Sequence, residues 1–205
     1  LDKRMIRNEI HKLEKKLVQI DKEKKTQRKQ REQTYKVALV GYTNAGKSTL
    51  MNWLTGADTL VENKLFATLD ATVRKIKKNF PYPVLLSDTV GLIKKLPHDL
   101  VASFKSTLDE VRHANLLIHV VDLSHSEYAE QMRTADDLLR EMGVDDLDIL
   151  TVFNKVDLWK GKTNEEGFTP ILEDVIGRWN NELDDDSIFI SATTKDNFDS
   201  LSESL

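Results

Sequence analysis

The sequence predicts an α/β fold: a mostly parallel six-stranded sheet with helices on both faces, preceded by a long N-terminal helix. Three observations carry that expectation. From Tyr35 onward, short apolar runs of strand length alternate with amphipathic segments of helix length. Before Tyr35, Ile6, Ile10, Leu13, Leu17 and Ile20 recur at spacings of four, three, four and three, which puts them on one helical seam. Between the first apolar run and the first helical segment lies the glycine-containing loop Gly41–Ser48.

The two parts differ in charge. Residues 1–34 hold twelve Lys/Arg against six Asp/Glu, while the whole chain carries −4, so the remainder sits near −10. The expected organisation is a charged linker helix over 1–34 and a globular domain over 35–205. A basic arm on an acidic domain suits an anionic partner such as nucleic acid; on charge alone, the plainer reading is a solvated Lys/Arg-rich helix. The apolar stripe is too narrow to stabilise an isolated helix, and it needs a partner. That partner is a helix from elsewhere in a longer protein, a second copy of the arm, or the domain. The expectation is a monomer, with an arm-mediated dimer as the alternative.

With 205 residues, 40% of them hydrophobic, the chain can bury one ordinary core plus an appendage. It has no cysteine, which excludes a disulfide framework and thiolate chemistry and fits a cytoplasmic setting. No apolar run approaches the roughly 18–20 residues that span a bilayer, so no stable membrane insertion is expected. The N-terminus is charged from Asp2, unlike a secretory signal. The chain starts without Met and stops at Ser204-Leu205 with no closing motif, and it reads as a fragment of something longer.

Taken in order, Val37–Val40 is a buried parallel strand running into Gly41, followed by a helix over Ser48–Leu54. Val73–Phe80 is a more polar strand suited to an edge. Further strands are expected at Val84–Leu86, Leu116–Val121, Ile149–Phe153 and Ile188–Ile190. Helical patterns fall around Leu100–Val111, Glu127–Met142, Ile171–Trp179 and the C-terminal tail.

Gly41-Tyr-Thr-Asn-Ala-Gly46-Lys47-Ser48 matches G-x-x-x-x-G-K-[ST] and sits between a strand and a helix start, where the mechanism needs it. In such a loop backbone N–H groups turn inward around phosphates, and the helix dipole adds to their pull. Asn44, Ala45, Gly46, Lys47, Ser48 and Thr49 are the candidate phosphate-binding residues. Lys47 would reach the β- and γ-phosphates, and the Ser48 hydroxyl would ligate Mg²⁺. Downstream, Asp88-Thr-Val-Gly91 follows a second apolar strand. Asp88 would hold Mg²⁺, and the Gly91 N–H would sense a γ-phosphate. A third Mg²⁺ ligand is expected between these motifs, where Thr68 and Thr72 both qualify.

The run Asn154-Lys155-Val-Asp157 separates guanine from adenine. An Asp157 carboxylate can accept from N1–H and the exocyclic amine of guanine, a pattern that adenine does not offer. The Lys155 stem can cover the base, and Asn154 can tie this loop to the phosphate loop. Ser191-Ala192 would offer the Ala192 N–H to guanine O6. Together the motifs name GTP/GDP with Mg²⁺ as the ligands and the P-loop GTPase fold as the fold class.

Three longer stretches carry a more specific resemblance: Leu65-Phe-Ala-Thr-Leu-Asp, Asp88-Thr-Val-Gly-Leu-Ile-Lys-Lys-Leu-Pro-His-Asp-Leu, and Val101-Ala-Ser-Phe-Lys-Ser-Thr-Leu-Asp-Glu-Val. They resemble the HflX family within the translation-factor class of GTPases. The arm looks like the end of that family's helical linker, with the family's N-terminal domain absent. The resemblance implies a ribosome-associated GTPase that binds the large (50S) subunit and its rRNA and splits stalled ribosomes. It also implies an antiparallel edge strand at Val73–Phe80. Thr68 is favoured over Thr72, because Phe-Ala-Thr-Leu looks like the switch of the Obg GTPases; Ala71 stands where the family has Pro, which implies a softer loop. Lys47, Thr68 and Gly91 are then the candidate catalytic residues, and Ser48, Thr68 and Asp88 the metal ligands.

Ras-type enzymes orient the attacking water with a Gln just after D-x-x-G. Here that position is Leu92, so slow intrinsic turnover and partner stimulation are expected. Related GTPases with Asn in Gly-x-x-Asn-x-Gly-Lys use it to ligate K⁺, which makes Asn44 a candidate K⁺ ligand. The competing explanation of Asn44 is that Asn tolerates a tight loop. The alternative function is a GTP-gated binding switch for another RNA or protein, with incidental hydrolysis.

Overall fold

The computed structural model describes residues 6–16, 34–57, 72–77, 80, 82–92, 110–141, 143–144, 146–161, 167, 169–183 and 187–205. The chain divides into two compact units, Leu1–Thr34 and Tyr35–Leu205. In the first, residues 6–16 are helical, and Ile6, Ile10 and Leu13 are about half exposed. The rest of the expected long helix, with Leu17 and Ile20, lies outside the described residues.

In the second unit the chain runs through β1 (Tyr35–Val40), α1 (Lys47–Thr55), β2 (Thr72–Lys75), β3 (Val84–Asp88), β4 (Leu116–Asp122) and α2 (Tyr128–Glu141). It continues through β5 (Asp148–Asn154), a 3₁₀ turn (Val156–Leu158), α3 (Leu172–Glu182), β6 (Ser187–Phe189) and α4 (Phe198–Glu203). The sheet has six strands in the order β2-β3-β1-β4-β5-β6. β2 pairs antiparallel with β3, and every other pair is parallel.

Alternation along each strand decides which face a residue serves. Val37 and Leu39 of β1, with Ile118, Val120, Val152 and Leu86, face α1 and α4 and pack on Leu50, Met51, Leu54, Phe198 and Leu201. Their neighbours Ala38 and Val40, with Leu117, face the other way, against Ala135 and Leu139 of α2. Further along that second face, Val121, Phe153 and Phe189 pack on Met132 of α2 and on Val175 and Trp179 of α3. The result is a three-layer sandwich with a core on each side of the sheet, which is why the central strands are apolar on both faces.

The edge strand is shorter than the polar pattern over 73–80 suggested. It ends at Lys75, with one further bond from the Ile76 N–H to the Val84 carbonyl of β3 (3.0 Å); Ile76 sits in the core, 3% exposed, and the Lys77 N–H donates instead to the Leu54 carbonyl of α1 (3.1 Å). The helix expected at 100–111 is described only at its end, residues 110–112. Among the described residues, no helix is long and apolar enough to cross a membrane.

Candidate functional site

Because β1, β3, β4, β5 and β6 run parallel, the loops that follow them leave the sheet at the same edge, where open α/β sheets place their ligands. The first of these loops is 41–46. Its turn is made by two residues with left-handed backbone, Asn44 (φ 62) and Gly46 (φ 100). Asn is among the few side-chain-bearing residues that take this conformation readily. Gly46 is held to glycine on a second count: a Cβ there would lie 2.2 Å from Asn154 Nδ2. The Gly46 carbonyl then accepts from the Leu50 N–H (3.0 Å) and starts α1.

Lys47 is buried, 6% exposed, and its Nζ donates to the carbonyls of Gly41 (3.0 Å) and Tyr42 (2.9 Å), so the amine lies over the loop. Burial lowers its pKa from 10.5 to about 8, against the opposing pull of Asp88. Ser48 Oγ donates to Asp88 Oδ2 at 2.6 Å, across forty positions of sequence. The register that pairs Leu39 with Asp88 brings the ends of β1 and β3 together for this contact. A hydroxyl and a carboxylate are hard oxygen donors of the kind Mg²⁺ takes, with phosphate and water oxygens completing its shell. Among the described residues there is no cluster of three or more His, Cys, Asp or Glu. Thr68, the favoured third ligand, lies outside the described residues. The other candidate, Thr72, opens β2 opposite Asp88 and is exposed.

The segment after β3 is docked onto the phosphate loop. The Leu92 N–H donates to the Gly41 carbonyl (3.0 Å), and the Thr43 N–H donates to the Leu92 carbonyl (3.3 Å). A Cβ at Gly91 would sit 2.6 Å from Thr43 Cα, so the close approach needs glycine. The Leu92 side chain is 1% exposed and belongs to the core under α2. Thr89, which the motif reading passed over, is fully buried, and its hydroxyl donates to the Leu39 carbonyl (2.5 Å), fastening β3 to β1.

On the far side of the loop, Asn154 ends β5 and is 2% exposed. Its Nδ2 donates to the Ala45 carbonyl (2.9 Å), and its Oδ1 accepts from the Ala192 N–H (2.9 Å). One side chain therefore joins three loops. The Ala192 N–H, expected to meet guanine O6, is directed to Asn154 here. Ser191 is buried, and its Oγ accepts from the Thr194 N–H (3.1 Å). Asp157 lies exposed in the 3₁₀ turn, open to a ligand. Thr49 is half-buried in the first turn of α1.

Lys155 has left-handed backbone (φ 67), and its amine forms an ion pair with Asp122 Oδ2 at 2.6 Å. Asp122 was not singled out from the sequence; the only trace of it there is an aspartate closing an apolar run. His119, opposite Val40 across the sheet, is also buried, 2% exposed. Its Nδ1 is 3.8 Å from Asp136 Oδ1, a neighbour that would favour the imidazolium. Burial outweighs it, and with the charge of Lys47 it lowers the His119 pKa to about 4.

Residues 36–155 match the family described as 50S ribosome-binding GTPase. Across 97% of its length the chain is 47% identical to a Flavobacterium psychrophilum protein named GTPase HflX, of which it spans 50%. Two solved structures share the fold. Era in complex with MgGDPNP and a segment of 16S ribosomal RNA has a TM-score of 0.63 at 22% identity, over 83% of this chain and 55% of that one. NFeoB from S. thermophilus bound to GDP.AlF4⁻ and K⁺ has a TM-score of 0.63 at 21% identity, over 83% and 60%. The match of the family over more than half of the chain, and the likeness of nearly all of this chain to half of a relative named GTPase HflX, agree with the arrangement of the five loops: this chain belongs to the HflX family of GTPases.

Proposed function

We propose that the chain binds guanine nucleotide along this rim, with the phosphates over 44–49 and the base at 154–157 and 191–192, and hydrolyses GTP in the course of acting on the large ribosomal subunit. The observation that carries the nucleotide reading is the Asn154 side chain, which locks the base loop to the phosphate loop and to Ala192 in one hydrogen-bonded unit. The description of the matched family as ribosome-binding supports the large subunit and its rRNA as partner.

In this reading Lys47 and the loop amides hold the β- and γ-phosphates and neutralise charge that grows during transfer. Ser48 and Asp88, with Thr68, hold Mg²⁺, which when bound screens the phosphate oxygens. Asp157 accepts from the guanine edge, and the Gly91 N–H responds to the γ-phosphate. Leu92 is packed into the core and orients no water, so turnover in isolation is slow and acceleration is supplied by the partner. That burial also favours the second reading, a GTP-gated docking switch in which hydrolysis is incidental. Asn44 is proposed as a K⁺ ligand, by analogy with the NFeoB structure solved with that ion.

The deciding experiment is GTP turnover by this chain in potassium buffer, with and without purified large subunits. Stimulation supports the ribosome-activated enzyme; binding to the subunit without a rate change supports the switch. Equal rates in Na⁺ and K⁺ would remove the role given to Asn44.

A further inference from the structure

The nucleotide reading leaves one half-buried ion pair unused. Lys155 and Asp122 are 33 positions apart, yet their charged atoms meet at 2.6 Å, with the side chains 21% and 12% exposed. The register explains the meeting: Asp122 is the last residue of β4 and pairs with Asn154, the last residue of β5, so Lys155 is one step beyond the end of β5. Its left-handed backbone is a conformation that Lys adopts rarely, and it persists only where the surroundings determine it.

The carboxylate is held as firmly as the amine. Asp122 Oδ1 accepts from the Ser124 N–H (3.1 Å) and from Ser124 Oγ (2.6 Å), which leaves Oδ2 for Lys155. The Leu123 N–H donates to the Asn154 carbonyl (3.0 Å) beside it. A lysine fixed at both ends of its stem presents four methylenes as a wall with little rotamer freedom left to lose, and its charge is already neutralised. A solvated lysine would present neither.

We infer that Asp122 is a positioning residue for guanine recognition: it acts through Lys155, holding the lysine stem against the base, and it touches no nucleotide atom itself. This rests on the reading of 154–157 as the guanine loop. It also implies that GDP and GTP are affected alike, because they share the base.

The test is a double-mutant cycle on the affinity of this chain for a fluorescent GDP analogue, with melting temperature recorded for every variant. Asp122→Asn weakens binding about tenfold, a coupling typical of contacting residues. Lys155→Met keeps the stem but not the amine, and in that background Asp122→Asn changes the affinity less than about twofold. Ser124→Ala loosens the carboxylate while keeping its charge, weakens binding by roughly threefold, and carries the test if Asp122→Asn does not fold. Independent, multiplying losses in the cycle overturn the inference, as does a lowered melting temperature with unchanged affinity. If the unchanged chain binds no guanine nucleotide, the guanine reading itself falls, and this inference with it.

Discussion

Replacing Asn154 with Ala removes a side chain that bonds to both the phosphate loop and the loop after β6. Two partners are left behind. The Ala45 carbonyl belongs to a fully buried residue, and losing its donor costs about 2 kcal/mol. The Ala192 N–H belongs to a half-buried residue, and water recovers part of its bond, so its loss costs about 1 kcal/mol. The sum, about 3 kcal/mol, corresponds to a fall in melting temperature of roughly 6–12 °C for a chain of this size. Urea denaturation and thermal melting of the nucleotide-free chain read it directly. Asn154→Asp is the sharper control, because it keeps an acceptor for Ala192 but sets a buried carboxylate oxygen against the Ala45 carbonyl. It is expected to be worse than Ala. An Asp variant as stable as the parent, or an Ala variant within about 0.5 kcal/mol of it, would refute the bridging role.

Three further expectations follow from the same geometry. Gly46→Ala forces left-handed backbone on alanine and drives a methyl into Asn154, costing roughly 2–3 kcal/mol; combined with Asn154→Ala the two losses sum to less than additive in a denaturation cycle. His119 is held neutral in the fold down to about pH 4, whereas in the unfolded chain it takes a proton near 6.5. The unfolded state therefore binds more protons in that window, and stability falls as pH drops from 6.5 towards 4. His119→Gln should flatten this acid limb by roughly 3 kcal/mol in urea titrations at stepped pH. Asp88→Asn should remove the gain in nucleotide affinity that Mg²⁺ gives over EDTA, measured with the same fluorescent GDP analogue, while leaving the metal-free affinity near that of the parent.

What could be read in advance, and what could not, divides by physical range. That Lys47, Ser48, Asp88 and Asn154 gather at one rim was legible because their motifs set residue types at fixed spacings, next to strand ends that periodicity reveals. The face assignments of Val37 to Val40 follow from the period of two. Asp122 was not legible, because its meaning depends on the register of β4 against β5, which no local pattern states. Thr89 and His119 were hidden for a similar reason: one polar residue beside or within an apolar run does not announce which carbonyl or carboxylate it will face. The early end of β2 is a tertiary effect, set by the Leu54 carbonyl drawing Lys77 away. Thr68 lies outside the described residues.

The docking of Leu92 on the phosphate loop has a mechanical consequence. Its two links, Leu92 to Gly41 and Thr43 to Leu92, are made by the main chain alone, and they tolerate a change of side chain at 92 better than one at Gly91, where a Cβ would meet Thr43. With the Leu92 side chain packed in the core under α2, a displacement at residue 92 is passed directly to the floor of the phosphate loop. On the function proposed above, a displacement of Leu92 reaches the nucleotide through the main chain, without a catalytic side chain between them.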